Sequence, residues 1–348
     1  MASDDSTLEF NIAYHPTPYP HAMREDLRDI AEVCDGIHMP FAESDLAYAS
    51  NKLRYCVDLA HEMGLVVLAD FWGYGNLFAS GGIPSLFTVQ HPEHNCITNE
   101  GRPIPKSCPN KAAVRAFMKQ SIEDFTATYE PDGVFWDEPQ WTLGGFLGEL
   151  NEGEWACRCG DCAAKFRERY GTEMPTTLTS EVEAFRAGTM LEFLSELCGR
   201  VKACGEHLIT STCVMPDDRI TLTEAVGKTE NLDVFGIDPY WRPNADVSQK
   251  AYIDKHTGDA VRIGRENGKL VESWVCAWAQ TAGHELDAYR AAKRMAAHDV
   301  DCLSAWSYRD YISWVPCDKP NQASPETVWK HLRRAYHEIR EGDLEIHL

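Results

Sequence analysis

The sequence predicts an α/β protein built as a single (β/α)8 TIM barrel, and three observations carry that prediction. Eight short apolar runs alternate with segments whose apolar residues recur at helical spacing. No break rich in Pro, Gly or Ser divides the 348 residues, a length normal for one barrel with insertions. No glycine-rich phosphate loop follows the first strand, which disfavours the rival doubly wound open sheet.

In order, the strand runs are FNIAYHP from Phe10, GIHMPFA from Gly36, LVVLADFW from Leu65 and GVFWDEP from Gly133. LITSTCVMP from Leu208, VFGIDPYW from Val234, LVESWVCAW from Leu270 and LSAWSYRD from Leu303 follow. Between them lie helical patterns such as MREDLRDIAEVC, NKLRYCVDLAHEMG and AAVRAFMKQSIEDFTATYE. HEMGL and RENGKL place a Gly just beyond a helix and before a strand, where a left-handed cap is needed. The stretches Gly73 to Asn110 and Gln140 to Pro175 read as long loops after strands three and four. The chain, 1–348, therefore reads as one domain with the barrel over about residues 10–340.

Composition narrows the function classes. A net charge of −21, spread along the chain, repels nucleic acid and anionic membranes, so neither is an expected partner. No run of eighteen apolar residues is present, and the polar, acidic start MASDDSTLEF lacks the features of a signal peptide. A soluble, cytoplasmic protein is expected. The thirteen cysteines are odd in number and cannot all pair with one another. Most fall inside helix or strand patterns as small core residues, but Cys157, Cys159 and Cys162 cluster in CRCGDC. That spacing suits a metal site, with a redox switch or free thiols as alternatives.

Barrels carry their active sites on the loops at the C-terminal ends of the strands. In VFWDEPQW, Asp137 and Glu138 stand at such an end, flanked by Trp136 and Trp141. His15, Glu43, Asp70, Trp72, Asp238, Tyr240, Trp241, Glu272, Trp306, Arg309 and Asp310 fall at other strand ends. Carboxylates amid aromatic rings suit a sugar, whose C–H faces stack while its hydroxyls hydrogen-bond. Two acids side by side on a strand point in opposite directions, so only one of Asp137 and Glu138 is expected to face the barrel axis. His91 and His94, in VQHPEHNC, read as solvated loop residues and are left out of the site.

On these residues the sequence resembles the clan of retaining (β/α)8 glycoside hydrolases, and in particular the barrel domain of family 42 β-galactosidases. In that clan strand four ends in an Asn-Glu pair whose Glu is the acid/base; Asp137 takes the Asn place here and Glu138 the Glu place. SCPNKAAVRAF with Cys108, and CRCGDCAAKFRERYG with Cys157, Cys159 and Cys162, match the family's cysteine motifs, whose four thiolates hold a structural zinc. LVES places Glu272 in the context of the family's nucleophile on strand seven, and GIDPYW and LSAWSYRD match strands six and eight in style. The resemblance covers about residues 10–310; the two further domains of family 42 are not matched, and the change from Asn to Asp means that galactose specificity is not carried over.

The resemblance implies a glycoside hydrolase acting on a small oligosaccharide or glycoside, with Glu138 as acid/base, Glu272 as nucleophile and no organic cofactor. Glu272 meets that role only if strand seven ends there; a strand running through LVESWVCAW would bury it. Asp238 is then the rival, paired with Glu138 in an inverting enzyme, and Asp137 orients Glu138, binds a hydroxyl or is itself the reactive carboxylate. His15, Trp72, Trp141, Tyr240, Trp241, Trp306 and Arg309 are expected to contact the sugar. A non-catalytic carbohydrate-binding barrel would keep the aromatics without turnover. A lyase or isomerase would need a strand-end lysine or metal, and no such lysine is found. A homo-oligomer is compatible with the resemblance, since family 42 relatives often form trimers.

Overall fold

The structure, a computed structural model, describes residues 8–78, 85–139, 141, 150–216, 221–243, 245–310 and 321–347. Its strands are β1 (Glu9–Ala13), β2 (Gly36–Pro40), β3 (Val66–Asp70), β4 (Gly133–Trp136), β5 (Ile209–Val214), β6 (Val234–Ile237), β7 (Leu270–Cys276) and β8 (Cys302–Trp306). They close in sequential order into a parallel barrel, with Phe10 of β1 paired to Leu303 of β8. Each strand begins within one residue of its predicted run.

The outer ring consists of α1 (Pro20–Ala31), α2 (Ser50–Glu62), α3 (Ala112–Tyr129), α4 (Ser180–Cys204), α5 (Thr221–Gly227), α6 (Gln249–Glu266), α7 (Asp287–Ala296) and α8 (Pro325–Arg340). Thr179, Ser248 and Ser324 cap α4, α6 and α8, each side chain accepting a backbone N–H three residues on.

Alternation along the strands divides the apolar residues into two cores. Most pack between strands and helices, including Trp136, Ile12 and Val67. A smaller set fills the barrel itself: Ala13, Leu68, Phe135, Cys213 and Trp274, with Trp72 and Trp306 above them. Gly133 starts β4 as a glycine for a steric reason, since a Cβ there would lie 2.3 Å from the carbonyl oxygen of Ile209.

The N-terminal face carries a repeated device. Asp35, Asp132, Asp233 and Asp301 each directly precede an even-numbered strand. Each accepts the N–H of a residue near the start of the preceding odd-numbered strand: Phe10 at 2.8 Å, Val67 at 2.7 Å, Thr210 at 2.8 Å and Val271 at 2.6 Å. Arg340, His61, Lys202 and Arg265 pair with the same four carboxylates. This ring satisfies the first N–H groups of the odd strands and occupies part of the chain's acidic surplus.

The two long loops meet over β3 and β4. The first contains an antiparallel hairpin, Asn95–Ile97 with Pro103–Ser107, and the second a helix, Gly160–Tyr170. Backbone bonds join them, from Asn99 N–H to the Trp155 carbonyl at 3.0 Å and from Arg158 N–H to the Ile97 carbonyl at 2.7 Å. Residues 79–84, 140 and 142–149 of these loops lie outside the described residues.

Candidate active site and metal centre

Inward-facing positions read up the barrel in layers. His38, Ser211, Glu272 and Ser304 lie deep; Leu68, Phe135, Cys213 and Trp274 form the middle. Above them, at the C-terminal mouth, come His15, Asp70, Trp72, Asp137, Asp238, Tyr240 and Trp306.

Strand β4 departs from simple alternation at its end. Phe135 points into the barrel and Trp136 out to the helices, so Asp137 points inward by period two. Continued alternation would send Glu138 outward. Instead Glu138 has a φ of 43°, in the left-handed region that costs a non-glycine residue about 1–3 kcal/mol. The turn brings Glu138 back toward the mouth, so both carboxyls face the same space, in contrast to the expectation that only one would. Each of them acts on Asp70 and on Asp238.

The electrostatics of the mouth follow from this convergence. Burial, then Asp137 and Glu138, push the Asp70 carboxyl well above its usual range. Burial and then Glu138 do the same to Asp137, with its contact to the Cys213 thiol, 3.4 Å away, as a partial offset. Asp238 is raised by burial, then by Glu138 and Asp137; it lies within reach of Glu138, although neither Asp238 oxygen makes an aligned hydrogen bond. Neighbours this close titrate as a unit and share protons. His15 is driven down to about 3 by burial and then Lys52, so it is neutral above mildly acidic pH. Its ring meets Trp72 and Trp306 edge-on at 5.4 and 5.5 Å, forming an aromatic wall.

Of the two ends open to strand seven, the structure has the later one: β7 runs through Glu272 to Cys276. Glu272 is 1% exposed, lies 3.2 Å from His38 Nε2, and accepts hydrogen bonds from Ser211 and Ser304. Burial favours its neutral form, but His38 and hydrogen bonds from Ser304 and Trp274 outweigh it and hold the carboxyl below its ordinary 4.5. Glu272 therefore belongs to the deep layer, apart from Glu138. Removing one member of such a buried pair costs about 3–5 kcal/mol. Glu272→Ala is expected to lose that amount in urea unfolding at pH 7. Because the folded value is depressed, the stabilisation is present above the ordinary 4.5 and fades as pH falls through the lower, folded value. Equal wild-type and variant midpoints at pH 7 would remove this account of Glu272.

Of the expected sugar contacts, the structure brings His15, Trp72, Tyr240 and Trp306 to the mouth and engages three elsewhere. Trp241 points outward, its indole N–H donating to the Val247 carbonyl at 2.8 Å. Arg309 lies over Tyr308 and donates to Asp29 of α1 at 3.2 Å. Trp141, 4% exposed, donates to the Arg186 carbonyl of α4 at 3.0 Å and packs as core. Sequence reading did not include Asp70, Trp278 or Arg242 in the site. Asp70 follows Leu68 at period two and was legible as a strand-end acid. Trp278 joins the barrel's inner cluster just past β7, and Arg242 lies over its ring while donating to the Trp278 and Ala279 carbonyls, both at 3.0 Å.

The cysteine quartet comes together as expected. The sulfurs of Cys108, Cys157, Cys159 and Cys162 are buried and all lie within 4.8 Å of one another, a set that could hold a metal ion. Cys108 lies 3.5 Å from Cys162 and 3.7 Å from Cys159. A tetrahedron of thiolates about 2.3 Å from zinc has edges of about 3.8 Å, so the spacing fits. The backbone N–H groups of Ile97 and Cys159 point at the Cys157 sulfur, both at 3.4 Å, and the Asn110 amide points at that of Cys162 at 3.3 Å. Such donors stabilise thiolates rather than neutral thiols.

No protein-family model matches the chain, and no curated protein matches it. Among solved structures it is similar to a polyextremophilic β-galactosidase from the Antarctic haloarchaeon Halorubrum lacusprofundi, at 14% identity and a TM-score of 0.69, over 95% of this chain and 58% of that one. It is similar to the β-galactosidase from Bacillus circulans sp. alkalophilus, at 15% identity and a TM-score of 0.68, over 97% of this chain and 56% of that one. The catalytic domain of a β-amylase from Paenibacillus polymyxa matches at 8% identity and a TM-score of 0.66, over 94% of this chain and 98% of that one. The chain thus spans 56–58% of the length of these two β-galactosidases. At such identities the likeness is one of fold: the chain shares the (β/α)8 barrel of these proteins.

Proposed function

We propose that this chain is a glycoside hydrolase acting on a small oligosaccharide or glycoside, with Glu138 and Asp238 as its working pair. The observation that carries the reading is the left-handed turn at Glu138, which sets its carboxyl beside Asp238 in an aromatic-walled mouth. Structural neighbours that are β-galactosidases and a β-amylase support the reaction class.

In this reading the pair shares one proton. Glu138, only half-buried, has the access to leaving group and water that an acid/base needs; Asp238, 1% exposed, faces the anomeric carbon from below. Glu138 protonates the glycosidic oxygen as the bond to the leaving group breaks, and Asp238 attacks the anomeric carbon. Glu138 then takes a proton from water, which releases the sugar. An Asp238 nucleophile implies retention, for which the carboxyls stand about 5–5.5 Å apart, against about 6.5–9.5 Å when a water attacks with inversion. Asp70 and Asp137, both raised by burial and by their acidic neighbours, hold protons on the cluster.

The four thiolates are proposed to hold a structural zinc. Four ligands leave no open position, so the ion would fix the two long loops beside β4 and take no part in the reaction. No helix among the described residues is long and apolar enough to cross a membrane. We place the protein in the cytoplasm, a reading supported by the free thiols of its described cysteines.

The test is a panel of aryl glycosides with wild type, Glu138→Gln and Asp238→Asn. Asp238→Asn is expected to lose about 10²-fold or more in kcat/KM across the panel, and Glu138→Gln to lose most on the least acidic leaving groups. In wild type, kcat/KM should follow a bell in pH, its acidic limb lying above the ordinary Asp value of 3.8 because Asp238 is raised. Sugar binding without turnover by any wild-type preparation would replace this reading with a non-catalytic carbohydrate-binding barrel.

A further inference from the structure

The mouth holds more carboxyls than two-carboxyl hydrolysis uses. Beyond Glu138 and Asp238 stand Asp137 and Asp70. Asp70 is 0% exposed, and neither of its carboxylate oxygens has a hydrogen-bond partner among the described residues. It follows Leu68 and precedes Trp72, both inward-facing, so by period two it is aimed into the mouth. A buried carboxyl without a partner is costly, and it calls for a donor that the described residues do not provide.

The missing partner has a recognisable chemistry. Among the described residues, the charged groups acting on Asp70 are the carboxylates of Asp137 and Glu138, and those on Asp238 are Glu138 and Asp137. The nearby cations are engaged elsewhere: Lys52, which acts on His15, pairs with Asp45 at 3.4 Å, Arg309 lies on Asp29, and Arg242 donates to two backbone carbonyls. Among the described residues the group of three or more ligands placed to hold a metal ion is the cysteine quartet, not the carboxyls of the mouth. Trp72 and Trp306, with ring centroids 6.3 Å apart, offer aromatic faces that attract an organic cation.

We infer that the mouth recognises an amino sugar: a glycoside whose protonated amino group sits among Asp70, Asp137 and Asp238 while its ring lies against Trp72 and Trp306. This rests on the hydrolase reading for the glycosidic bond, but the binding of the ammonium group can be tested without turnover. Binding draws the raised carboxyls into their charged form, so the complex forms with release of a proton to solvent.

The experiment is calorimetric titration of the full chain at pH 6, below the ordinary range of an amine of about 7.7–8.0, with glucosamine, galactosamine, glucose and galactose. Two buffers of different ionisation enthalpy report proton release. Amino sugars are expected to bind about tenfold or more tighter than their neutral counterparts and to release a proton, as neutral sugars do not. Asp70→Asn should remove most of that preference and lower the number of protons released. Should Asp70→Asn fail to fold, proton release in wild type decides. Equal affinities for both sugar classes, absence of proton release, or tighter binding of calcium or manganese than of amino sugar would each overturn the inference. If neutral aryl glycosides are cleaved in a Glu138-dependent way with no preference for amino sugars, this inference fails and the hydrolase reading survives. If amino sugars bind as described and no glycoside is cleaved, the reverse holds.

Discussion

Glu138→Gln is expected to lower kcat/KM by about 10²–10⁴-fold on a substrate with a poor, alkyl-type leaving group, and by less on one with an acidic aryl leaving group. Glutamine keeps the size of the side chain and can occupy the left-handed backbone of Glu138 at similar cost, so folding should be preserved. What it lacks is the proton. A leaving group that departs as a stable anion needs little protonation, so the defect should shrink as leaving-group acidity rises. A merely structural role for Glu138 would give equal losses on all substrates, together with a lower thermal midpoint. Wild-type activity retained on alkyl glycosides would remove Glu138 from the chemistry.

The second large effect is expected at the cysteine quartet. Purified protein should contain one zinc per chain by elemental analysis, and Cys157→Ser should lose it. Asn110→Ala, which removes the amide aimed at the Cys162 sulfur, should weaken zinc binding by about 10–100-fold without abolishing it. The site bridges the loop after β3, through Cys108, and the loop after β4, through the other three. Its loss should loosen the contacts between Asn99 and Trp155 and between Arg158 and Ile97, seen as faster amide hydrogen exchange there. The barrel strands should keep their protection, because their pairing does not depend on the quartet. Zinc-free wild type with unchanged loop protection would contradict a structural zinc.

The barrel was legible because its cause is local. Eight apolar runs with helical spacing between them leave few other topologies, and the strands begin where the runs do. The quartet was legible from spacing together with the family resemblance. The carboxyls were harder. Sequence pattern located Asp137 and Glu138 at a strand end, but the left-handed φ that turns Glu138 back has no signature in VFWDEPQW. Glu272 misled for the opposite reason: its motif fits a strand end, yet β7 continues four residues past it because SWVC is as apolar and strand-forming as what precedes it. Its neighbour His38, 3.2 Å away, sits on β2, far away in sequence and visible only once the barrel closes. The aspartate ring of the N-terminal face was present as four Asp residues before even strands, and needed the register to be read.

The most direct test of the central claim, that the mouth cleaves glycosidic bonds between Glu138 and Asp238, is proton NMR of the sugar released by wild type as turnover begins. The account predicts that the first anomer to appear has the configuration of the substrate, and that its appearance depends on both Glu138 and Asp238. An inverted first anomer would contradict the close carboxyl pair as acid/base and nucleophile. Release that persists in Asp238→Asn would contradict the site itself.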